Sequence, residues 1–310
     1  MFGRISAIAL NTYRESLRAR ILIGLAGVAF AVAFYAIIVG AYTLRNAPRV
    51  VSDLGVASLS IFSIAVAVII GATSLYRELE QKTIFPILAR PLWRGEYLVG
   101  KYLGTLLTLA VFILADAGLV LQISAVLAGR PVALVAGAGA ASLAVLGVAA
   151  WRSPAARTYG FIPWSVVFLA LGVVFSEAAP VERRVVLAGS ALAFLEVGIV
   201  AAIATLFSSF STPFLSSLLT LGVFVVGRNA DALARLPVKY FGPQISAAGR
   251  GLSRVVPNLQ IYVPPRPLLA GEVADANLLV YLGWAAITCA GWALGLLAVA
   301  AFVFKKRDFL

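Results

Sequence analysis

An all-α polytopic membrane protein is the fold class this sequence predicts, and three observations carry the prediction. Hydrophobic residues make up 62% of the 310 and charged residues only 12%, where a soluble domain carries about a quarter charged. The mean hydropathy is +0.99. The apolar residues also fall in long uninterrupted runs rather than in alternation. Only helices and closed barrels satisfy their backbone in lipid, and continuous runs exclude the barrel.

A span needs about 20 apolar residues. The candidate runs are 21–43, 54–75, 102–128, 132–150, 160–176, 185–207, 208–227 and 278–304, so about eight transmembrane helices are expected in a single domain over 1–310. The run 132–150 carries Ala136-Gly137-Ala138-Gly139-Ala140-Ala141 and is only weakly hydrophobic. Small residues let helices approach closely, so it is read as packed within the bundle, with a re-entrant pair as the alternative. The run 160–176 is short and holds Pro163 near its start. The first apolar run is too long for a cleaved leader and is read as an uncleaved anchor.

Orientation follows from the basic residues near span ends. With the N-terminus inside, that face holds Arg4, Arg14, Arg18 and Arg20, the cluster Arg77 to Lys101, Arg152, Arg157, and finally Lys305, Lys306 and Arg307. The opposite short loops hold Arg45, Arg49, Arg130, Arg183 and Arg184. Both termini inside, with an even number of spans, is the consistent solution. The charge of +12 is then mostly topology plus contact with anionic lipid. Basic residues scattered over both faces argue against a nucleic-acid partner.

Residues 2–19 have a helical pattern. At 100° per residue, Arg4, Asn11, Arg14, Glu15 and Arg18 fall within an arc of roughly 100°. Phe2, Ile5, Ala9, Tyr13 and Leu17 lie opposite. Such a helix lies in the interface plane with its arginines toward headgroups, either as an anchor or as an elbow that also touches a cytoplasmic partner.

Between the second and third spans lies a dense charged island. It runs Arg77-Glu78-Leu79-Glu80-Gln81-Lys82-Thr83-Ile84-Phe85-Pro86-Ile87-Leu88-Ala89-Arg90-Pro91-Leu92-Trp93-Arg94-Gly95-Glu96-Tyr97 and ends near Lys101. The prolines predict helix, break, helix. A solvated loop is the plain alternative, but Ile84, Phe85, Ile87, Leu88, Leu92 and Trp93 are poor choices for one. The segment 76–101 is read as a cytoplasmic element docking a soluble partner. The loop 228–277 is the largest non-membrane segment. Its residues Ile245, Ala248, Leu252, Val255 and Val256 have helical spacing with Arg250 and Arg254 opposite, and Pro264-Pro265-Arg266-Pro267 reads as stiff and extended.

Much chemistry is missing. With no histidine, one cysteine and one methionine, His-based catalysis and metal sites are excluded, and no metal-binding residues are assigned. Cys289 lies in the last span and reads as a small buried apolar residue. Gly95-Glu96-Tyr97-Leu98-Val99-Gly100-Lys101-Tyr102 fits G-x-x-x-x-G-K, but the phosphate loop needs Ser or Thr next, where Tyr102 stands. The chain therefore carries no ATP site. Asp116 and Glu196 sit deep in predicted spans, and intramembrane acids are functional candidates by default. They are read either as protonated packing residues or as members of a path. Ser208-Ser209-Phe210-Ser211-Thr212-Pro213 reads as a tight turn whose hydroxyls cap freed helix ends.

Taken together, these segments resemble the permease subunits of type-2 ATP-binding-cassette (ABC) exporters. The likeness rests on Glu80-x-Lys82-Thr83, Arg90-Pro91-x-x-Arg94-x-Glu96-Tyr97-x-x-Gly100-Lys101, and the opening Ala9-Leu10-Asn11-Thr12-Tyr13-Arg14-Glu15. It also rests on Leu206 to Pro213, Pro257-Asn258-Leu259 and the terminal Lys305-Lys306-Arg307-Asp308-Phe309. The nearest subgroup includes the permease of the copper-processing system that matures nitrous oxide reductase. The resemblance implies a dimeric permease, homodimeric or heterodimeric, bound to two cytoplasmic ATPase subunits that hold ATP and magnesium. It places the protein in a prokaryotic cytoplasmic membrane. It also implies that Glu78, Glu80, Lys82, Thr83, Pro91, Arg94, Glu96, Tyr97 and Lys101 couple to those ATPases. The family usually has six spans, so 132–182 looks like an inserted helical pair. Competing readings are a proton-coupled secondary transporter using Asp116 and Glu196, a non-transporting scaffold, or mechanical action on an outer protein through 228–277.

Overall fold

The computed structural model describes residues 2–18, 20–43, 46–80, 94–273 and 277–306. Every regular element among them is helical. Helix α1 covers Phe2–Arg18 and α2 Arg20–Ala41, followed by the long α3 at Ala47–Glu80 and α4 at Arg94–Leu127. Then come α5 at Val132–Arg152, the short α6 at Pro154–Tyr159, α7 at Phe161–Phe175 and α8 at Pro180–Ser208. The remainder is α9 at Pro213–Arg228, α10 at Ala230–Ala234, α11 at Val238–Val255, α12 at Arg266–Ala270 and α13 at Leu278–Lys306.

Among the described residues seven helices are long and apolar enough to cross a membrane, namely α2, α3, α4, α5, α7, α8 and α13. The eighth candidate, expected from residue 208, starts at Pro213 and runs for 16 residues. Ser208 still belongs to α8, and residues 209–212 make the turn. The hydroxyls of Ser209 and Ser211 donate to the carbonyls of Leu206 and Phe207 at 2.7 and 2.9 Å, satisfying helix-end acceptors. At a rise of about 1.5 Å per residue, α9 spans only about 24 Å, shorter than a hydrocarbon core of about 30 Å.

The bundle is built around α8, the most enclosed span, which packs against α3, α4 and α13. Lipid offers no hydrophobic gain for helix association, so close backbone approach must supply the contact. Gly71 is such a point: a side-chain carbon there would lie 2.5 Å from the Ala204 methyl. Gly189 of α8 meets Val56, and Gly55 of α3 meets Val120 of α4, with the same lack of room. Polar ties run between the same helices. The Tyr102 hydroxyl donates to the Gly198 carbonyl at 3.1 Å, and Cys289 Sγ reaches the Leu195 carbonyl at 3.2 Å. Cys289 is thus a packing residue at the α13–α8 seam.

The helices α5 and α7 form a peripheral pair. α7 packs on α4, where Gly172 and Gly118 leave no space for a side chain. Gln122 of α4 donates to the Phe168 carbonyl at 3.4 Å, and the Trp164 ring nitrogen donates to Ser142 of α5 at 3.3 Å. α5 is the least enclosed span of all, in contrast to the interior position expected from its Gly/Ala content. Its small residues mostly point where nothing lies within 4 Å, as at Gly137 and Gly147.

Helix α1 does not rest only on lipid. Ala9, Thr12, Tyr13 and Ser16 are buried, and the helix lies along the first turns of α4. Gly100 and Gly104 make the groove: a side-chain carbon at Gly104 would lie 2.5 Å from the Ala9 carbonyl, and one at Gly100 2.7 Å from Ile8. Arg4, Asn11, Arg14 and Arg18 stay on the exposed face, as the periodicity predicts.

At the opposite end, the segment after α9 folds back into the bundle. Leu259 is buried and its amide donates to the Gly227 carbonyl at 3.0 Å, and the Tyr262 hydroxyl donates to the Ala285 carbonyl at 3.1 Å. Asn258 accepts from the Gln260 amide at 3.0 Å and donates to Asp231 at 2.8 Å. The stretch 264–267 is not extended throughout: Pro265 is extended but Arg266 and Pro267 open α12, where a proline at the first turn costs no hydrogen bond. Gly271 ends that helix at φ 83°, with the Arg184 guanidinium where a side chain would stand. α11 is broken at Gly242, φ 78°, followed by Pro243. The face of α11 bearing Ile245, Leu252 and Val255 is exposed.

The α1–α4 groove yields a test. Gly104→Val is expected to lower detergent-solubilised thermal stability, by about 1–3 kcal/mol for an overpacked contact. Gly137→Val, in open space, is expected to be neutral by the same measurement.

Candidate functional site

Two polar constellations emerge, one at each end of the bundle. At the α1 end, Lys101 is buried, with 3% exposure, and its ammonium lies 3.3 Å from Glu15 of α1 and 3.2 Å from the Ser74 carbonyl of α3. One side chain therefore ties three helices, about two turns inside the facing ends of α3 and α4. Glu15, expected among the headgroup-facing residues, instead turns to Lys101. A lysine this enclosed needs a partner, and Glu15 is within a turn of the glycine groove that brings α1 close.

Tyr97, one residue beyond Glu96 on α4, is 1% exposed and stacks on Phe304 of α13 with ring centroids 6.4 Å apart. Leu98, Ala300, Ile8 and Leu206 complete this cluster. It gathers α1, the start of α4 and the ends of α8 and α13, so the first helix and the end of the last lie at the same end of the bundle. Lys101 also sits 5.9 Å from the Tyr97 ring. Tyr13 stacks on Tyr159 of α6 at 6.3 Å, which joins α1 to the α5–α7 connection. Burial first, and then neighbouring Tyr159, pushes the Tyr13 hydroxyl up to about 12. One carboxylate oxygen of Glu96 is enclosed with no hydrogen-bond partner among the described residues.

Of the other coupling residues expected from the sequence, Lys82, Thr83 and Pro91 lie outside the described residues. The side chains of Glu78, Glu80 and Arg94 do as well. The G-x-x-x-x-G-K match is helical from Arg94 onward. Gly100 of the match seats α1 while Gly95 faces open space, and the helix leaves no loop to cradle a phosphate.

The second constellation lies deeper. Glu196 of α8 is fully enclosed, and Arg228, the last residue of α9, approaches it with Nε 3.4 Å from Oε1. Ser60 of α3 joins both: its hydroxyl donates to Glu196 at 3.5 Å and accepts from Arg228 at 3.3 Å. Glu196 lies about 18 Å back from the Ser208 end of α8, the end from which α9 also starts, so the short α9 brings its terminal arginine level with the middle of α8 rather than past its far end. Arg228 also lies 5.7 Å from the Phe224 ring. Closer to the bundle end, Arg266 pairs with Asp53, lies 3.8 Å from Glu182, and donates to Ser52 at 3.2 Å. Asp116 of α4 is also enclosed, but neither of its oxygens has a partner among the described residues.

Sequence reasoning identified Glu196 but missed Arg228, Ser60, Asp53 and Arg266. An arginine closing an apolar run was a usable signal for the first, since such a residue needs an acid at its own depth. Among the described residues no cluster of His, Cys, Asp or Glu is suited to a metal ion.

This geometry defines a multi-pass helical membrane protein whose polar groups are spent on joining helices. Over residues 6–309 it matches the family model described as ABC-2 family transporter protein, and the chain belongs to that family. It is therefore the membrane component of a transporter, and membership implies an ABC ATPase as its partner. No curated protein matches it in sequence.

The Glu196–Arg228 pair is open to a double-mutant cycle by thermal unfolding in detergent. Arg228→Ala strands an enclosed acid and is expected to cost about 3–5 kcal/mol. Combining Glu196→Gln with Arg228→Gln is expected to cost less than the two single changes added together. Strict additivity would refute the pairing.

Proposed function

We propose that this chain is the permease subunit of an ABC exporter, with ATP hydrolysis carried out on separate cytoplasmic subunits. The observation that supports this best is the junction at Lys101. The ion pair to Glu15 and the bond to Ser74 link α1, α3 and α4, and the Tyr97–Phe304 stack adds α13. All four meet at the α1 end of the bundle, and the segment 81–93 that joins α3 to α4 in the sequence carries charged and aromatic residues that suit docking to a soluble ATPase. A push on that segment would move α3 and α4 as continuous levers, each of 34 residues and about 51 Å long.

In this reading Glu78, Glu80, Lys82, Thr83, Pro91, Arg94 and Glu96 face the ATPase, while Tyr97 and Lys101 transmit its motion inward. Two ATPase copies and a second permease copy complete the assembly, in a prokaryotic cytoplasmic membrane with both termini on the cytoplasmic side. The abundance of basic residues at the α1 end supports that orientation. The peripheral α5–α7 pair is read as an insertion into a six-span core. Such a pair leaves the parity of the crossings unchanged. Within the family, the resemblance to the copper-processing permeases is retained. The lack of histidine, with one cysteine and one methionine, argues against direct handling of copper by this chain.

Co-purification in mild detergent with an ATPase assay tests the reading. A stoichiometric ATPase is expected, and Glu80→Ala combined with Arg94→Ala is expected to reduce its stimulated hydrolysis at least about tenfold, a loss of about 1.4 kcal/mol in coupling. Lys101→Met is expected to keep the ATPase bound while lowering stimulation. Unchanged binding and stimulation in the double variant would sink the coupling assignment.

A further inference from the structure

Helix α11 carries three strips along its length, and only one of them meets the rest of the chain. Ser246 and Gly249 are buried, and Gly249 seats the helix on α10, where a side-chain carbon would lie 2.8 Å from the Leu233 carbonyl. Past the break at Gly242, the residues Ile245, Ala248, Leu252 and Val255 fall within an arc of about 80° at 100° per residue. Ile245, Leu252 and Val255 are exposed. Arg250 and Arg254 lie on the far side of that arc and are exposed as well. Before the break, Lys239, Tyr240 and Phe241 are exposed, with the Lys239 ammonium 6.0 Å from the Tyr240 ring. Both ends of this segment are pinned to the end of a membrane helix. α10 begins two residues after Arg228 closes α9, and the Pro257 carbonyl fills the space beside Gly227. The segment is thereby tethered within reach of the bilayer.

The charge of the segment says what covers the apolar strip. From Ala232 to Gly271 the sequence holds five basic residues, Arg235, Lys239, Arg250, Arg254 and Arg266, and no acidic one. Arg266 is taken by Asp53 and Glu182. The other four have no ion-pair partner among the described residues. Asp231, the acid just before them, accepts a hydrogen bond from Asn258. The bias that gathers basic residues at the α1 end gives no reason for these at the other end. We propose that α11 binds anionic phospholipid, its apolar strip among the acyl chains and Lys239, Arg250 and Arg254 on the phosphates. A helix with a basic strip, an apolar strip and low overall hydrophobicity lies in the interface plane, its apolar face sunk about 5–10 Å. Each cation near an anionic surface adds to the attraction, and salt screens it. Tyr240 suits the headgroup level, where aromatic rings with a polar tip gather. An apolar protein surface would match the strip and leave the cations unmatched, whereas an anionic bilayer surface matches both. α1 has a similar pattern, but the Gly100–Gly104 groove of α4 takes its buried side, and α11 has no such groove.

A bimane label at Leu252→Cys tests this, on the full chain in nanodiscs and in a Cys289→Ala background. Quenching is read from nitroxides on the acyl chains of either phosphatidylglycerol or phosphatidylcholine, at equal mole fraction. Both lipids are expected to quench the label, phosphatidylglycerol at least about threefold more strongly, since several cations act together. The preference is expected to vanish at high salt and in the combined variant Lys239→Gln, Arg250→Gln, Arg254→Gln, while quenching itself persists. The salt series needs no charge variant, and Val255→Cys serves as a second label position on the same strip. A label that neither lipid quenches would place the strip against protein, a second copy included, and overturn the proposal. Equal quenching by the two lipids would show an interfacial helix without anion recognition, and a preference unchanged in the combined variant would place the recognition elsewhere; each would overturn it. So would loss of the preference on adding inorganic phosphate at constant ionic strength, which would mark a simple anion site. No ATPase enters the measurement, so its outcome is separate from that of the permease reading.

Discussion

Everything in this molecule depends on the close seating of α3, α4 and α8. In water, burying apolar side chains would hold three such helices together. In lipid the tails are as apolar as the side chains, so cohesion must come from contact geometry and internal polar pairing. Gly55, Gly71 and Gly189 supply the geometry, each facing a side chain with no room for a methyl group. Tyr102 supplies the pairing by donating across the α4–α8 seam. Once these helices are in register, their ends lie at set positions and the remaining elements attach to them.

The same device recurs where α1 meets α4. Gly100 and Gly104 lower the α4 surface, α1 settles into it, and only then can Glu15 reach Lys101. The ion pair is a consequence of the groove. An enclosed ion pair seldom adds much net stability, because desolvation offsets attraction, but losing one partner is costly. Such a pair therefore specifies an arrangement more than it strengthens one. Under the proposed coupling role, specification is the useful property: α1, α3 and α4 move together or the pair breaks.

Local and long-range features were not equally legible in the sequence. Seven of the spans could be read from apolar runs because hydrophobic length is a local property, and the amphipathic arc of α1 was equally local. What α1 packs against was not, since Gly100 and Gly104 read in isolation do not say which helix they seat. The shortness of α9 was half legible: Ser208 to Pro213 read as a turn with capping hydroxyls, yet the same residues were counted into the span 208–227. The Glu196–Arg228–Ser60 cluster joins residues from three helices, and no spacing rule connects them. The Gly/Ala run of 132–150 misled in the other direction: small residues permit close packing but do not compel it.

The depth of that cluster constrains what it can be. Had α9 run to full length, Arg228 would reach the surface and meet water, leaving Glu196 enclosed without a cation. With 16 residues the helix stops near the level of Ser60 and Glu196, and the chain must then return to the surface through protein. It leaves through α10 and α11, and residues 257–262 then fold back onto the end of α9, where Leu259 and Tyr262 are buried and Gly227 leaves room for the Pro257 carbonyl. Non-helical backbone at such depth is tolerated only where protein or a cavity lines it. Both conditions are met here, by α13 on one side and by the cavity of about 330 Å³ lined by Val56, Leu192 and Leu269 on the other. The short helix, the buried return and the enclosed ion pair are thus one arrangement, and removing any of them would leave a charge or a backbone amide in lipid.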